Sequence, residues 1–177
     1  MLFDALLKPA RAVTLCALTG GLFGCAAEKP PAQPSFYDSM AKPDGQLDDN
    51  AAASMISGYR RNNGLNPVSL DPQLMQLAET QAQSMAGRDK LDHSAGGVLA
   101  QRVKHAGYEA KVAVENVSAG YHTLAEAFSG WRDSPPHRAN MLKEGVTKMG
   151  IAAVYAPNSK YRVFWALVLA SPDDKRK

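Results

Sequence analysis

Three side chains able to ligate a divalent metal or move protons near neutral pH stand far apart in this sequence: His93, Glu115 and His137. Each lies in a stretch whose neighbours look suited to aim it. His93 follows Leu91-Asp92, Glu115 opens the run Glu115 to Gly120, and His137 sits within Trp131 to Asn140. Two imidazoles and one carboxylate supply three ligands and leave a fourth position for water, as in an open zinc site. Water on such an ion becomes a nucleophile at neutral pH, so metal-dependent hydrolysis of peptides or wall polymer is one chemistry within reach, with Glu115 and His137 as its catalytic residues. The chain has neither His-Glu-x-x-His nor Gly-x-Ser-x-Gly, and no serine or cysteine in a recognisable nucleophile setting. Ser94 adjoins His93 too closely to signal a dyad. These omissions weight the reading toward binding rather than turnover.

The elements that must bring the three together can be read from periodicity. Met55, Ile56 and Tyr59 share one helical face, stopped by Asn62-Asn63-Gly64. Asp71-Pro72 opens a second helix as N-cap and first-turn proline, with Leu74, Leu77, Ala78, Gln81 and Met85 at helical spacing. Val98, Arg102, Val103 and Ala106 suggest a short helix closed by Gly107. Residues 111–118 read as extended. Thr123 and Glu126 have capping-box spacing and start a helix that turns Leu124, Phe128 and Trp131 inward. Ser134-Pro135 caps another helix through Leu142. Two β runs follow, Met149 to Tyr155 and Tyr161 to Ala170, joined through residues 157–160. The last is apolar on both faces, so it must be covered on both sides. The fold class expected is α+β, an α-β-α sandwich with a mostly antiparallel central sheet flanked by helices. Trp131, Phe128, Trp165, Met75, Met85 and Met141 are core by this reading, Glu126 is a cap, and His105 and His122 are surface residues.

The N-terminus carries a different signal. Lys8 and Arg11 precede an apolar run from Val13 to Phe23, long enough for a secretion signal and too short to span a membrane. Leu22-Phe23-Gly24-Cys25 resembles a bacterial lipobox, in which the signal is cut before the cysteine and its thiol carries lipid; a plain secretory signal is the alternative. The expected organisation is a signal over 1–24, a lipidated Cys25 with a Pro-rich linker over 25–50, a domain over 51–170 and a charged tail over 171–177. Cys16 and Cys25 are the two cysteines, so the domain has no disulfides and packing must hold it. The 177 residues suffice for one domain with a core. A net charge of +3 without a basic, aromatic-interleaved stripe argues against a nucleic-acid partner. The membrane, reached through the anchor, is the expected partner. Export to the bacterial cell envelope follows, and Ala26 after the cysteine points to the outer membrane, facing the periplasm.

Glu115-Asn116-Val117 with Gly120, and Trp131 followed by Ser134-Pro135-Pro136-His137-Arg138-Ala139-Asn140-Met141-Leu142, resemble the CAP superfamily of cysteine-rich secretory, antigen-five and pathogenesis-related proteins, in its bacterial SCP-like branch. Arg60 with Asn63-Gly64-Leu65, Leu70-Asp71, His93-Ser94, Ala106-Gly107-Tyr108 and Gly150-Ile151-Ala152 support the resemblance, which spans about residues 51–169. It implies a cavity lined by two histidines and two acidic residues that can hold a divalent ion, zinc first, with magnesium or calcium as alternatives and none obligatory. His93, Glu115 and His137 match three of these four. Ser134 stands where the second acidic residue is usual, and Pro136 where bacterial members usually have glycine. Asn116, Ser134, Arg138 and Asn140 would line the cavity wall, satisfying loop backbone groups. The resemblance further implies a lipid, cell-wall or protein ligand.

Overall fold

A strand with no polar residue over seven positions cannot lie at a solvated surface, and the architecture is organised around one. In a computed structural model, which describes residues 32–173, strand β4 (Val163–Pro172) has every residue from Val163 to Ala170 at most 1% exposed. Its side chains alternate between two cores. Val163, Trp165, Leu167 and Leu169 enter one, and Phe164, Ala166, Val168 and Ala170 enter the other.

The other elements are helix α1 (Asp49–Asn62), β1 (Ser69–Leu70), α2 (Pro72–Gly87), α3 (Leu99–His105), β2 (Ala110–Ala119), α4 (Leu124–Asp133), α5 (Pro135–Met141) and β3 (Lys148–Tyr155). The sheet order is β1-β3-β4-β2, with β4 antiparallel to both neighbours and β1 parallel to β3. One core takes its helical side chains from α1, α4 and α5, among them Ile56, Trp131 and Met141; the other takes Leu74, Met85 and Val103 from α2 and α3. This is the expected α-β-α sandwich, α+β in class. The described residues contain no cysteine, so apolar burial closes the sandwich.

Local chemistry sets the boundaries. The Asp71 side chain accepts from the backbone N–H of Gln73 and Leu74, and Pro72 occupies the first turn of α2. The Thr123–Glu126 capping box opens α4. Gly64, at φ 75°, ends α1 in the left-handed region that glycine tolerates. Gly150 on β3 lets α2 press onto the sheet: a Cβ there would land on the Leu74 carbonyl group.

Three boundaries differ from expectation. The linker does not extend to residue 50: Met40 is buried at 4% exposed, its N–H donates to the His122 carbonyl, and Ser35 Oγ donates to Asp48. A few apolar residues in that polar stretch, Phe36, Met40 and Leu47, suffice to dock it. The β3–β4 connection runs from 156 to 162, because Arg162 at φ 65° cannot continue a strand. Strand β4 continues through Pro172, so the tail begins later than residue 171. Ser134 does start α5 by position, but its side chain makes no cap hydrogen bond.

A buried cation braces the α1 side. Arg60 is 1% exposed; its guanidinium donates to the carbonyls of Asn66, Met141, Lys143 and Val146 at 2.8–3.2 Å. These bonds fasten the end of α1 to the turn after α5. Replacing Arg60 by Met keeps the apolar stem and strands these carbonyls, so Arg60→Met is expected to lower unfolding free energy by about 3–5 kcal/mol. Urea midpoints of the two proteins check this; a change below about 1 kcal/mol contradicts the bracing role.

Candidate active or binding cleft

Strand β2 lies at the sheet edge, and its alternation divides the pair Glu115-Asn116 between two faces. Glu115 stands opposite Val168 and turns to the α2–α3 side; Asn116 stands opposite Leu167 and turns to the α4–α5 side. One edge strand therefore carries a charged group on one face and a bracing amide on the other.

On the first face, Glu115 is 6% exposed and both its oxygens are engaged. Oε1 accepts from Arg102 Nη2 at 2.5 Å and Oε2 lies 3.1 Å from His93 Nδ1. Arg102 comes from the inward face of α3 and is itself 6% exposed. Its Nε donates to the Gly97 carbonyl at 2.8 Å. His93 sits in the loop between α2 and α3. Buried Gln81 of α2 holds that loop from below: its amide donates to the carbonyls of Asp92 and His93 and accepts from the Gly96 N–H. Asp92 adds an Asx turn by accepting from the Ser94 N–H. The His93 side chain remains 60% exposed, with its second ring nitrogen free of protein partners.

On the second face, Asn116 Nδ2 donates to the His137 carbonyl at 2.9 Å. Asn140 Nδ2 donates to the Glu115 carbonyl and to Asn116 Oδ1. These bonds staple α5 to β2 and hold the half-buried His137 beside that strand. Ser134 is half-buried at the α4–α5 junction, and Arg138 is exposed on α5. His105 and His122 are surface residues as expected.

The structure thus joins His93 and Glu115 directly. His137 is near enough to His93 for their charges to interact, yet it makes no hydrogen bond to Glu115 among the described residues. Two residues that sequence reasoning left as helix face, Arg102 and Gln81, prove to be the ones that hold the cleft. Each interrupts an apolar register with a polar side chain, and that interruption was the available signal.

The side chains as placed do not fit the divalent ion implied by the resemblance. No three His, Cys, Asp or Glu side chains among the described residues gather closely enough to hold one. Glu115 is already neutralised by Arg102. Asp133, the nearest acidic residue to the missing fourth ligand, pairs instead with Arg132 at the surface.

The two histidines titrate in opposite directions. The hydrogen bond that His93 donates to the Glu115 carboxylate, opposed in part by desolvation, holds the His93 pKa above its usual value. Burial first, and the charge of His93 second, push His137 below its usual value. The stabilisation from His93 is complete below about pH 6.5 and is lost as pH rises through its folded value; that from His137 is present above about pH 6.5 and is lost as pH falls. Together they place a shallow stability maximum near pH 6.5. In His93→Ala the decline above that pH should vanish, and the His137 ring resonances should titrate at higher pH than in the wild type. Urea midpoints across pH 5.5–7.5 and proton NMR read both; an unmoved His137 titration contradicts the proximity of the two rings.

With this geometry in place, comparison with known proteins is direct. Residues 53–169 match the model of the CAP, cysteine-rich secretory protein family. The chain is 29% identical over 102 residues to the uncharacterized protein YkwD of Bacillus subtilis (strain 168), covering 56% of this chain and 40% of that protein. The chain therefore spans well under half the length of this curated relative. The fold resembles an outer surface protein of Borrelia burgdorferi (TM-score 0.66, 18% identity, 73% of this chain and 96% of that one). It also resembles an extracellular SCP-domain protein of Bacillus anthracis str. Ames (TM-score 0.60, 22% identity, 69% and 39%). Sequence motifs, sandwich topology and the family match agree: the chain belongs to the CAP, or cysteine-rich secretory, protein family.

Proposed function

We propose that this protein is an exported, envelope-anchored CAP module that binds a lipid, cell-wall or protein ligand at the His93–Glu115–His137 cleft without turning it over. The observation that carries this reading is the closure of Glu115. A buried carboxylate with one oxygen on Arg102 and the other on His93 is a fixed structural ion, not a base free to accept a substrate proton. A separate groove of about 520 Å³ along α3, lined by Val98, Leu99, Val103, Lys104, Tyr108 and Ala113, offers further contact area, and Val98 is 55% exposed. The anchoring half of the reading rests on Leu22-Phe23-Gly24-Cys25 and the prolines after it, which lie outside the described residues. The surface and extracellular settings named for the Borrelia and Bacillus anthracis proteins accord with export.

A second reading, hydrolysis, is favoured by one feature. His93 turns Nδ1 to a carboxylate and leaves its other nitrogen exposed, the orientation a general base needs.

Glu115→Gln separates the two by removing the charge at constant size. Binding predicts that lipids or wall fragments copurifying with the wild type are retained, with any loss of affinity under about tenfold. Hydrolysis predicts that turnover of a peptide or wall substrate by the wild type falls at least about a hundredfold in the variant. Measurable wild-type turnover with that fall sinks the binding reading. For the anchor, Cys25→Ser should move the protein from the membrane fraction to the soluble fraction or leave it unprocessed; normal lipid labelling of the variant contradicts the lipobox.

A further inference from the structure

We propose that Arg102 is the resident cation of this cleft: a tethered counter-ion occupying the place beside Glu115 that a divalent metal would need, so that the native cleft excludes such metals. The proposal does not rest on the binding reading; it is compatible with metal-free chemistry at His93 and excludes only the metal-dependent hydrolysis. Its basis is charge, anchoring and the donor set.

Charge comes first. Glu115 supplies one negative charge, and Arg102 already matches it at 2.5 Å with both side chains at most 6% exposed. A dication entering the same pocket would meet a guanidinium a few ångströms away, in a setting where charge repulsion is far stronger than in water. Releasing Glu115 to the metal would leave Arg102 buried and unpaired. Anchoring prevents Arg102 from swinging aside. Its Nε is tied to the Gly97 carbonyl, which Gly97 presents from the left-handed region at φ 97°. Arg102 Nη1 is buried with no protein partner, so the guanidinium keeps donor capacity inside the protein that a metal would only repel. The donor set completes the case. The family's second acidic position holds neutral Ser134, and Asp133 is turned to Arg132. Two imidazoles are what remain, one short of the three protein ligands of an open zinc site, and no third His, Cys, Asp or Glu among the described residues joins them.

Zinc titration of the wild type, Arg102→Gln and His93→Ala tests this, by calorimetry and by melting temperature with and without chelator. Wild type is expected to show no one-to-one zinc site, and neither zinc nor chelator should shift its melting temperature. Arg102→Gln, which keeps a hydrogen-bond donor and removes the charge, should bind zinc at least about tenfold more tightly than wild type. A one-to-one zinc site in the wild type that disappears in His93→Ala overturns the proposal. So does a folded Arg102→Gln that binds zinc no better than wild type. Should Arg102→Gln fail to fold, the wild-type melting temperature decides alone: a zinc-induced rise absent from His93→Ala overturns the proposal, and an unchanged value upholds it.

Discussion

The two-sided burial of β4 is the constraint on which the molecule depends. A strand with apolar side chains on both faces needs helices on both, and this divides the helices into two sets. It also forces β3 and β2 to either side of β4, because both pair with it. Strand β2 is thereby left with one unpaired edge. An edge is normally a liability for aggregation. Here the loop bearing His93 and the helix bearing His137 both bond to β2, and the candidate site lies along that strand.

The cleft inherits its logic from strand alternation. Adjacent residues on β2 serve opposite faces, and the site is a wrap around a strand rather than a bowl above one. The face with Glu115 carries ionic chemistry, locked by Arg102 and His93. The face with Asn116 carries amide bonds that fix α5. This division explains why three potential ligands, all at the same edge, do not form a three-ligand cluster. It also explains how a small domain without disulfides keeps its polar residues in register. Two polar side chains around the site are tied to backbone: Gln81 to the His93 loop and Asn140 to the Glu115 carbonyl.

Much of the fold was legible in the sequence because local rules dominate helix starts and strand faces. Asp71-Pro72, the Thr123–Glu126 box, Asn62-Asn63-Gly64 and the apolar run at Val163 each act within a few residues, and each sits where those rules place it. What was not legible depends on distant partners. Arg102 reads locally as one more basic residue on a short helix; only Glu115, 13 positions away, explains its burial. Arg60 binds carbonyls 81–86 positions downstream, a relation no window reveals. The segment before Asp49 reads as spacer because its composition is polar, and three apolar side chains dock it against a surface that exists only after folding.

Strand β4 sits at the centre of the sheet yet arrives after every other element in the order of the chain. During synthesis, α1 and α2 emerge with their oily sides prepared and no sheet to rest on. The roughly 110 residues between the end of α1 and the end of β4 take on the order of ten seconds to make at ordinary rates. For that interval the nascent polypeptide has no route to a closed sandwich, and the Met141, Lys143 and Val146 carbonyls reach Arg60 only late in it. A keystone delivered last keeps the unfinished chain slack until the final strand is made.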